Sequence, residues 1–175
     1  IIDSTSKISL SNNDGGNTSN TIFGKSAFNA SSNVGADYNS FFGEGVAGTG
    51  TLSTATGNVG IGWVALQDLT AGSDNIAIGQ AAGHEITTGN NNVIVGALAG
   101  GTITTQDEMV LIGHQAGDAI NNDTADGTIA IGHSALTALT SGASNTAIGY
   151  ETLKATTSSA GSTALGYQAG TASTG

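Results

Sequence analysis

Cysteine, proline and arginine are absent from the sequence, and only 9% of its 175 residues are charged. The absence of cysteine excludes a disulfide framework and thiolate metal sites. Three lysines, Lys7, Lys25 and Lys154, stand against thirteen acidic residues, and the net charge is -10. A chain of this charge repels nucleic acid and anionic membranes, so we expect no nucleic-acid partner.

Long apolar runs are also missing. No stretch approaches the roughly 20 apolar residues of a membrane-spanning helix, and the opening residues, IIDSTSKISL, have no signal-peptide pattern. We therefore expect no membrane insertion, and we interpret the chain as a segment of a longer protein.

A short repeat fills most of the chain. Brief apolar runs each end in a glycine, and successive glycines of this kind are separated by 17 or 19 residues. The nine framework glycines are Gly24, Gly43, Gly62, Gly79, Gly96, Gly113, Gly132, Gly149 and Gly166. A fixed period of this size is typical of a solenoid, in which each repeat forms one coil and stacks on its neighbours.

The period predicts an all-β fold, a parallel β-solenoid or β-roll of about nine coils of 17–19 residues. We expect this repeat domain to cover residues 20–175. Residues 1–19 lack the glycine register, and we interpret them as a leading strand or a junction to an upstream module.

Apolar residues crowd the strand that precedes each framework glycine. The residue directly before the glycine is large and apolar in all nine coils, and we predict that it is buried: Phe23, Phe42, Ile61, Ile78, Val95, Ile112, Ile131, Ile148 and Leu165. The residue before it lies on the opposite strand face and is never polar, as in Ile22, Ala77 and Leu111. A strand that is apolar on both faces is covered on both. Since a coil of this size encloses only one narrow interior, the second face predicts contact with another copy of the chain.

Asparagine precedes six of the nine strands, at Asn20, Asn39, Asn58, Asn75, Asn92 and Asn145. Stacked at the strand spacing of about 4.8 Å, such side chains form hydrogen-bond ladders, and we predict one here. Small residues and then polar turn segments such as TTGNN (87–91) follow each glycine. This pattern predicts two short strands and two turns per coil.

The segments NIAIGQAAG (75–83), NTAIGYETL (145–153) and STALGYQAG (162–170) resemble the β-roll repeats of trimeric autotransporter adhesin heads and the AIGxxAG repeats of phage tail fibres. The resemblance covers about residues 20–175, although the autotransporter repeat is shorter than the repeat of this chain. It implies a left-handed roll in which three identical parallel chains wind about one axis. It also implies an extracellular fibre, on a virion tail or a bacterial cell surface, whose partner is a glycan or protein of a host cell.

Three motifs suggest chemistry at first sight. GEGVAG (43–48) matches the dinucleotide fingerprint, but that fingerprint needs a following helix, and the repeat already accounts for its glycines. NNDTADG (121–127) lacks the full alternation of a calcium loop, and we interpret it as a turn insertion. Asp68 and Glu85 occupy the same slot in consecutive coils. We interpret them as solvated turn residues, with a bridging cation as a better alternative than a catalytic pair.

The position directly after each framework glycine varies widely, and we predict that it forms an exposed column. Five of its members carry rings and are our candidate surface-contact residues: Trp63, His114, His133, Tyr150 and Tyr167. Rings with a polar edge suit contacts with sugars and proteins, and the alternative is that they shield seams between chains. A metal site at the two histidines would need further converging ligands, so we predict neither a metal nor a cofactor.

These patterns favour a protein with a structural and adhesive role and no enzymatic activity. We expect a rigid segment of a homotrimeric extracellular fibre that mediates or supports attachment to a host surface. One alternative is an ice-binding solenoid, which needs flat ranks of threonine at one slot of each coil, whereas threonine here is scattered among the turns. The other alternative is a polysaccharide-degrading tailspike segment, a class with longer coils and clustered acidic and basic residues.

Overall fold

The computed structural model describes residues 8–9, 19–28 and 35–171. These residues contain ten short strands, which form one sheet in chain order. The strands are β1 (Ile8–Ser9), β2 (Thr21–Phe23), β3 (Ser40–Phe42), β4 (Val59–Ile61), β5 (Ile76–Ile78), β6 (Val93–Val95), β7 (Val110–Ile112), β8 (Ile129–Ile131), β9 (Thr146–Ile148) and β10 (Thr163–Leu165). Strands β2 to β10 pair in parallel, whereas β1 pairs antiparallel with β2. The predicted parallel β-solenoid is confirmed.

Each described coil contributes a single strand and is otherwise built of turns. The prediction of two strands per coil is therefore wrong. The segment after the framework glycine contains residues with left-handed backbone conformation at alternate positions, such as Val64 and Leu66, both at φ 51°. Strand backbone has negative φ, so this segment turns instead of extending.

Coils of different length stack in the same alignment. Ile61 pairs with Ile78, 17 residues later, and Ile112 pairs with Ile131, 19 residues later. The two extra residues of the longer coil fall in its turn, where Asp123–Ala125 form a single turn of 3₁₀ helix. The interpretation of NNDTADG as a turn insertion agrees with this position.

The strand faces are the reverse of those predicted. The middle residue of each strand from β2 to β9 points into the solenoid and is buried, whereas the residue before the framework glycine points outward. Phe23 is 52% exposed and Phe42 is 42% exposed. The reason lies across the coil, where a column of large apolar side chains already fills the interior: Leu52, Leu69, Ile86, Ile103, Ile120 and Leu139. This column lies among the residues after each framework glycine, to which the sequence pattern gave no core role.

Side-chain sizes are matched inside the solenoid. Where the strand carries Ile94, the facing turn position is Gly83, and a Cβ on that glycine would lie 3.1 Å from the Ile94 Cδ1 atom. In β4 the middle residue is Gly60, and the side chains of Val46 and Leu66 fill the space where its side chain would be. Interiors at this packing density tolerate neither voids nor overlap, so each coil accepts only neighbours of complementary size.

The predicted asparagine ladder is confirmed. All six asparagines are buried, and the side-chain amide of each of the four from Asn39 to Asn92 donates to the Oδ1 atom of the asparagine one coil earlier, at 2.9–3.1 Å. The same Oδ1 atoms also accept the backbone N–H of the next rung. Met109 and Thr128 interrupt the side-chain ladder, and Asn145 resumes it by accepting from the Ser162 N–H at 3.0 Å. The ladder satisfies buried backbone groups that no strand pairing reaches.

The framework glycines lie where coils touch most closely. Gly113 has φ +133°, and a Cβ built on it would come 2.5 Å from the carbonyl oxygen of Gly132 in the next coil. Neither the backbone angle nor the space admits a side chain. The spacing recognised in the sequence therefore marks the contact that sets the distance between coils.

Candidate functional site

The outward sides of β2 to β10 form a continuous, uncharged and mostly apolar surface, which we call the outer sheet face. It consists of the first and last residue of each strand, and none of these eighteen residues is charged. Ile61, Ile76 and Ile78 are 36–39% exposed, and the rings of Phe23 and Phe42 stack at 6.4 Å between centroids. Monomeric proteins rarely expose apolar surface so continuously. In a single chain this face has no cover among the described residues.

Four of the five predicted surface-contact residues come together in one stack. The ring centroids of His114 and His133 are 5.1 Å apart, those of His133 and Tyr150 are 5.0 Å apart, and those of Tyr150 and Tyr167 are 5.5 Å apart. The ring planes are within 17° of parallel, and all four residues are exposed. Trp63 belongs to the same column but lies three coils from His114. The four stacked rings form a continuous aromatic strip along the rod.

A charged pair borders this strip. The ammonium of Lys154 lies 2.6 Å from the Glu151 Oε1 atom, and the Gln168 side-chain amide donates to the Glu151 Oε2 atom at 2.9 Å. The hydrogen bond from Lys154, with a smaller contribution from Gln168, lowers the pKa of the Glu151 carboxyl below its ordinary value. The same hydrogen bond raises the pKa of Lys154.

A groove of about 430 Å³ runs beside the exposed column. We call it the Trp63 groove, and its walls are formed by Trp63, Val64, Gln67, Gln80, Ala81, His84, Glu85, Leu98, Gly101, Thr102 and Asp118. These residues belong to four consecutive coils. At roughly 4.8 Å per coil the groove is about 14 Å long.

Asp118 is the electrostatic centre of the groove. A Cβ built on Gly101 would come 2.5 Å from the Asp118 Oδ1 atom, so the carboxylate leans over this glycine towards the earlier coils. Burial raises the pKa of the Asp118 carboxyl, and the negative charge of Glu85 raises it further. The charge of His114 and a hydrogen bond from the Gly101 N–H act in the opposite direction. Glu85 belongs to the second of the four coils that line the groove and Asp118 to the fourth, so the two carboxylates are spread along it.

The acid pair considered from the sequence is arranged differently. The Thr49 hydroxyl donates to the Asp68 Oδ1 atom, which ties Asp68 to the preceding coil. The negative charge of Glu85 instead helps to raise the pKa of Asp118, two coils further on. Sequence reasoning missed this partner because the two acids are not at the same offset from their glycines. The sequence signal for this arrangement is Gly101, which stands between His84 and Asp118 in the same column and has no side chain.

The other two motifs, GEGVAG and NNDTADG, form turns of the solenoid. In GEGVAG the Gly43 and Gly45 N–H groups donate to carbonyl oxygens of Phe23 and Lys25 in the preceding coil, so these amides are already engaged. In NNDTADG the Asn122 side chain accepts from the Thr124 N–H and hydroxyl at 3.1 and 3.0 Å. Among the described residues, no group of three or more histidine and acidic side chains is placed to hold a metal ion.

Threonines of successive coils are stacked in a rank along the solenoid, which was not predicted from the sequence. A threonine stands eight residues after seven of the nine framework glycines, and five of these threonines are Thr70, Thr87, Thr104, Thr140 and Thr157. The hydroxyls of Thr70, Thr87 and Thr140 each donate to the carbonyl oxygen of the next member, at 2.9–3.2 Å. Asn121 interrupts the rank in the coil with the longer turn. The expectation that threonine is scattered is therefore wrong.

Comparison with protein-family models, with curated proteins and with solved structures finds no match to this chain. Within residues 8–9, 19–28 and 35–171, no helix has the length and apolar character needed to cross a membrane.

Proposed function

We propose that this chain is a non-enzymatic structural and adhesive segment of a homotrimeric extracellular fibre, carried on a virion tail or a bacterial cell surface. The observation that carries the proposal is the outer sheet face. It is uncharged over nine strands, and it exposes large apolar side chains such as Phe23, Phe42 and Leu165. The proposed role is to extend the fibre and to support its attachment to a glycan or protein of a host.

An identical parallel chain is the occupant that fits this face best. Nine strands at about 4.8 Å give a rod of roughly 40 Å, and a second copy offers an apolar face of the same length and spacing. The net charge of the chain is -10, so like charges on the turns oppose contact there, whereas the outer sheet face carries no charge. The number of three chains and the left-handed winding come from the resemblance to β-roll fibres.

The oligomeric state tests the proposal directly. Light scattering coupled to size-exclusion chromatography should give three times the chain mass of 17.0 kDa. Ile78→Asp places a charge in the middle of the outer sheet face, where burial without a partner costs several kcal/mol, and should release monomers. Thr88→Asp adds the same charge in an exposed turn and should leave the trimer intact. A wild-type monomer at micromolar concentration would overturn the proposal.

Three chains would also supply the mechanism of attachment. Three copies of one weak contact, held at fixed spacing, bind a multivalent surface far more tightly than one copy does. The aromatic strip of His114, His133, Tyr150 and Tyr167 is the proposed contact surface. A glycan array probed with the trimer and with a Tyr150→Ser/Tyr167→Ser variant tests this part separately, because these substitutions lie outside the outer sheet face.

Ice binding is a second candidate, favoured by the threonine rank. Three observations place it behind adhesion. The hydroxyl protons of Thr70, Thr87 and Thr140 are already donated within the solenoid, Asn121 breaks the rank, and the outer sheet face has no role in it. Thermal hysteresis of the purified protein, lost in Thr87→Tyr, would replace the adhesive proposal with this one.

A further inference from the structure

We infer that the aromatic strip of His114, His133, Tyr150 and Tyr167 binds a neutral, extended β-1,4-linked glycan that lies along the rod, with one pyranose unit at each ring. The inference rests on the proposed adhesive function, and it names the class of glycan that this surface recognises. Two properties of the strip support it, namely the polar edges that the stacked rings expose and the even distance between the rings.

The stacked rings present their edges to solvent. Centroid distances of 5.0–5.5 Å and interplanar angles of at most 17° are those of offset-stacked rings, so His133 and Tyr150 each have a ring against both faces. Tyr150 is nevertheless 45% exposed, and its uncovered edge accounts for this exposure. Imidazole nitrogens and phenol hydroxyls donate and accept hydrogen bonds. The inner rings therefore offer a ligand their polar edges and not their faces.

The residues beside the strip add further hydrogen-bonding groups. In three of the four coils the residue directly after the ring is Gln115, Glu151 or Gln168, and none of the three is buried. The Gln168 amide donates to the Glu151 Oε2 atom at 2.9 Å, so these two side chains are linked from one coil to the next. In the coils of the Trp63 groove the same position is apolar, as at Val64 and Leu98. A ligand rich in hydroxyl groups therefore finds polar partners beside the rings as well as on them.

The spacing of the rings selects the repeat of the ligand. The advance per unit of an extended β-1,4-linked glycan is set by the span between O1 and O4 of one pyranose ring, which is close to the distance between neighbouring rings of the strip. An extended peptide places side chains on one face at every second residue, about 6.7 Å apart. It would lose register with the strip by roughly 1.5 Å at each step. The glycan, in contrast to the peptide, keeps one unit at each of the four rings.

Charge disfavours the other common linear polymers. The net charge of the chain is -10, which repels nucleic acid and anionic polysaccharides. The ammonium of Lys154, which borders the strip, is already paired with the Glu151 Oε1 atom at 2.6 Å. Binding of single-stranded nucleic acid also relies on bases that stack on aromatic faces, and the faces of the inner rings are covered. A neutral glycan meets neither obstacle.

The number of rings sets the length of glycan that the strip can hold. We would measure association constants of cello-oligosaccharides and of N-acetylated chito-oligosaccharides, from two to six units, by isothermal titration calorimetry on the purified protein. In at least one series the constant should rise roughly threefold to tenfold with each unit, the equivalent of one hydrogen bond, and should level off at four units. Maltotetraose is the matched control, because its α-1,4 linkages curve the chain, and it should bind roughly tenfold more weakly than the β-1,4-linked tetramer.

Substitutions in the ring column should change the length at which binding levels off. Ala97 stands one coil before His114 in this column, so Ala97→Tyr adds a fifth ring and should move the plateau to five units. His133→Ala interrupts the strip and should move the plateau to two units, at the remaining pair of tyrosines. Tyr38→Ser removes an exposed tyrosine outside the column and should leave the binding curve unchanged. Circular dichroism on each variant checks that the fold is retained.

Several results would overturn the inference. Association constants that do not depend on length would mean that a single ring binds the sugar. Equal binding of maltotetraose, or a plateau that stays at four units in both column variants, would mean that ring spacing does not select the ligand. If no oligosaccharide binds while light scattering shows a trimer, the glycan assignment fails and the proposed fibre stands. A monomeric protein with a plateau at four units would defeat the proposed trimer and keep the glycan assignment.

Discussion

Removal of one rung from the asparagine ladder should destabilise the solenoid far more than an average surface substitution. The Asn75 side chain donates to the Asn58 Oδ1 atom at 3.0 Å and to the Gly89 carbonyl at 2.8 Å. It accepts from the Asn92 N–H at 3.1 Å and from the Asn92 side-chain amide at 2.9 Å. Asn75→Ala removes all four hydrogen bonds in a fully buried position.

The size of the loss follows from the groups left behind. In the variant the Asn92 N–H and the Gly89 carbonyl stay buried and lose the partners that Asn75 provided. Each buried polar group without a partner costs about 1–3 kcal/mol, so the free energy of unfolding should fall by roughly 2–6 kcal/mol. For a chain of this length, such a loss lowers the melting temperature by roughly 5–20 °C.

Urea unfolding followed by far-ultraviolet circular dichroism and by Trp63 fluorescence measures this loss. Wild type and variants are compared at one protein concentration, because association contributes to the stability of an oligomer. Asn121→Ala is the matched control, since Asn121 is exposed in a turn, and it should change the unfolding free energy by less than about 0.5 kcal/mol. A loss below 1 kcal/mol in Asn75→Ala, or equal losses in both variants, would refute the structural role of the ladder.

Three further predictions concern the framework glycines and the charged groups. Gly132→Ala puts a Cβ 2.3 Å from the Gly149 carbonyl oxygen, whereas the Cβ of Gly166→Ala meets no atom within 4 Å. Gly132→Ala should therefore lower the melting temperature much more than Gly166→Ala does. The pKa of Asp118 is raised in the folded protein, which means that its charged form opposes folding and its neutral form does not. Asp118→Asn should therefore stabilise the protein against urea at pH 7 but not below pH 3.8. Lys154→Gln should raise the pKa of Glu151 towards 4.5 in a carbon-detected NMR titration.

Each of these predictions has a contrary result. Equal destabilisation by the two glycine substitutions would mean that backbone strain, and not contact between coils, sets the cost. A stabilisation by Asp118→Asn that persists at pH 3 would remove ionisation as its cause. An unchanged pKa of Glu151 in Lys154→Gln, matching the control Lys25→Gln, would mean that Gln168 alone accounts for the shift.

The sequence was sufficient for the parts of the fold that repeat. Glycine spacing gave the parallel coils because the contact at Gly113 and its equivalents admits no side chain, and the asparagine column gave the ladder because amides of this kind satisfy each other at the strand spacing. The predicted direction of the strand faces was wrong because it depends on what fills the far side of each coil, and the sequence pattern gave no core role to Leu69 and Ile86.

The candidate site was less accessible to sequence reasoning. A fixed offset from the glycines identified the ring column, and the same count would have revealed the threonine rank from Thr70 onwards. Counting from the glycines could not reveal the effect of Glu85 on Asp118, because it depends on the Asp118 side chain, which leans across the position of Gly101. Contacts that cross two coils follow side-chain direction and not the period.

The matching of side-chain sizes between coils also determines how the chain can wind. Since every coil repeats the same columns, a strand that skipped one coil would still bury its middle residue and extend the sheet, so the repeat by itself permits winding errors. Ile94 fits beside Gly83 but would collide with Leu66 if it were stacked one coil too early. The sequence of large and small residues therefore allows each coil to pack well only on its correct neighbours. This selectivity opposes the misassembly to which repetitive chains are prone.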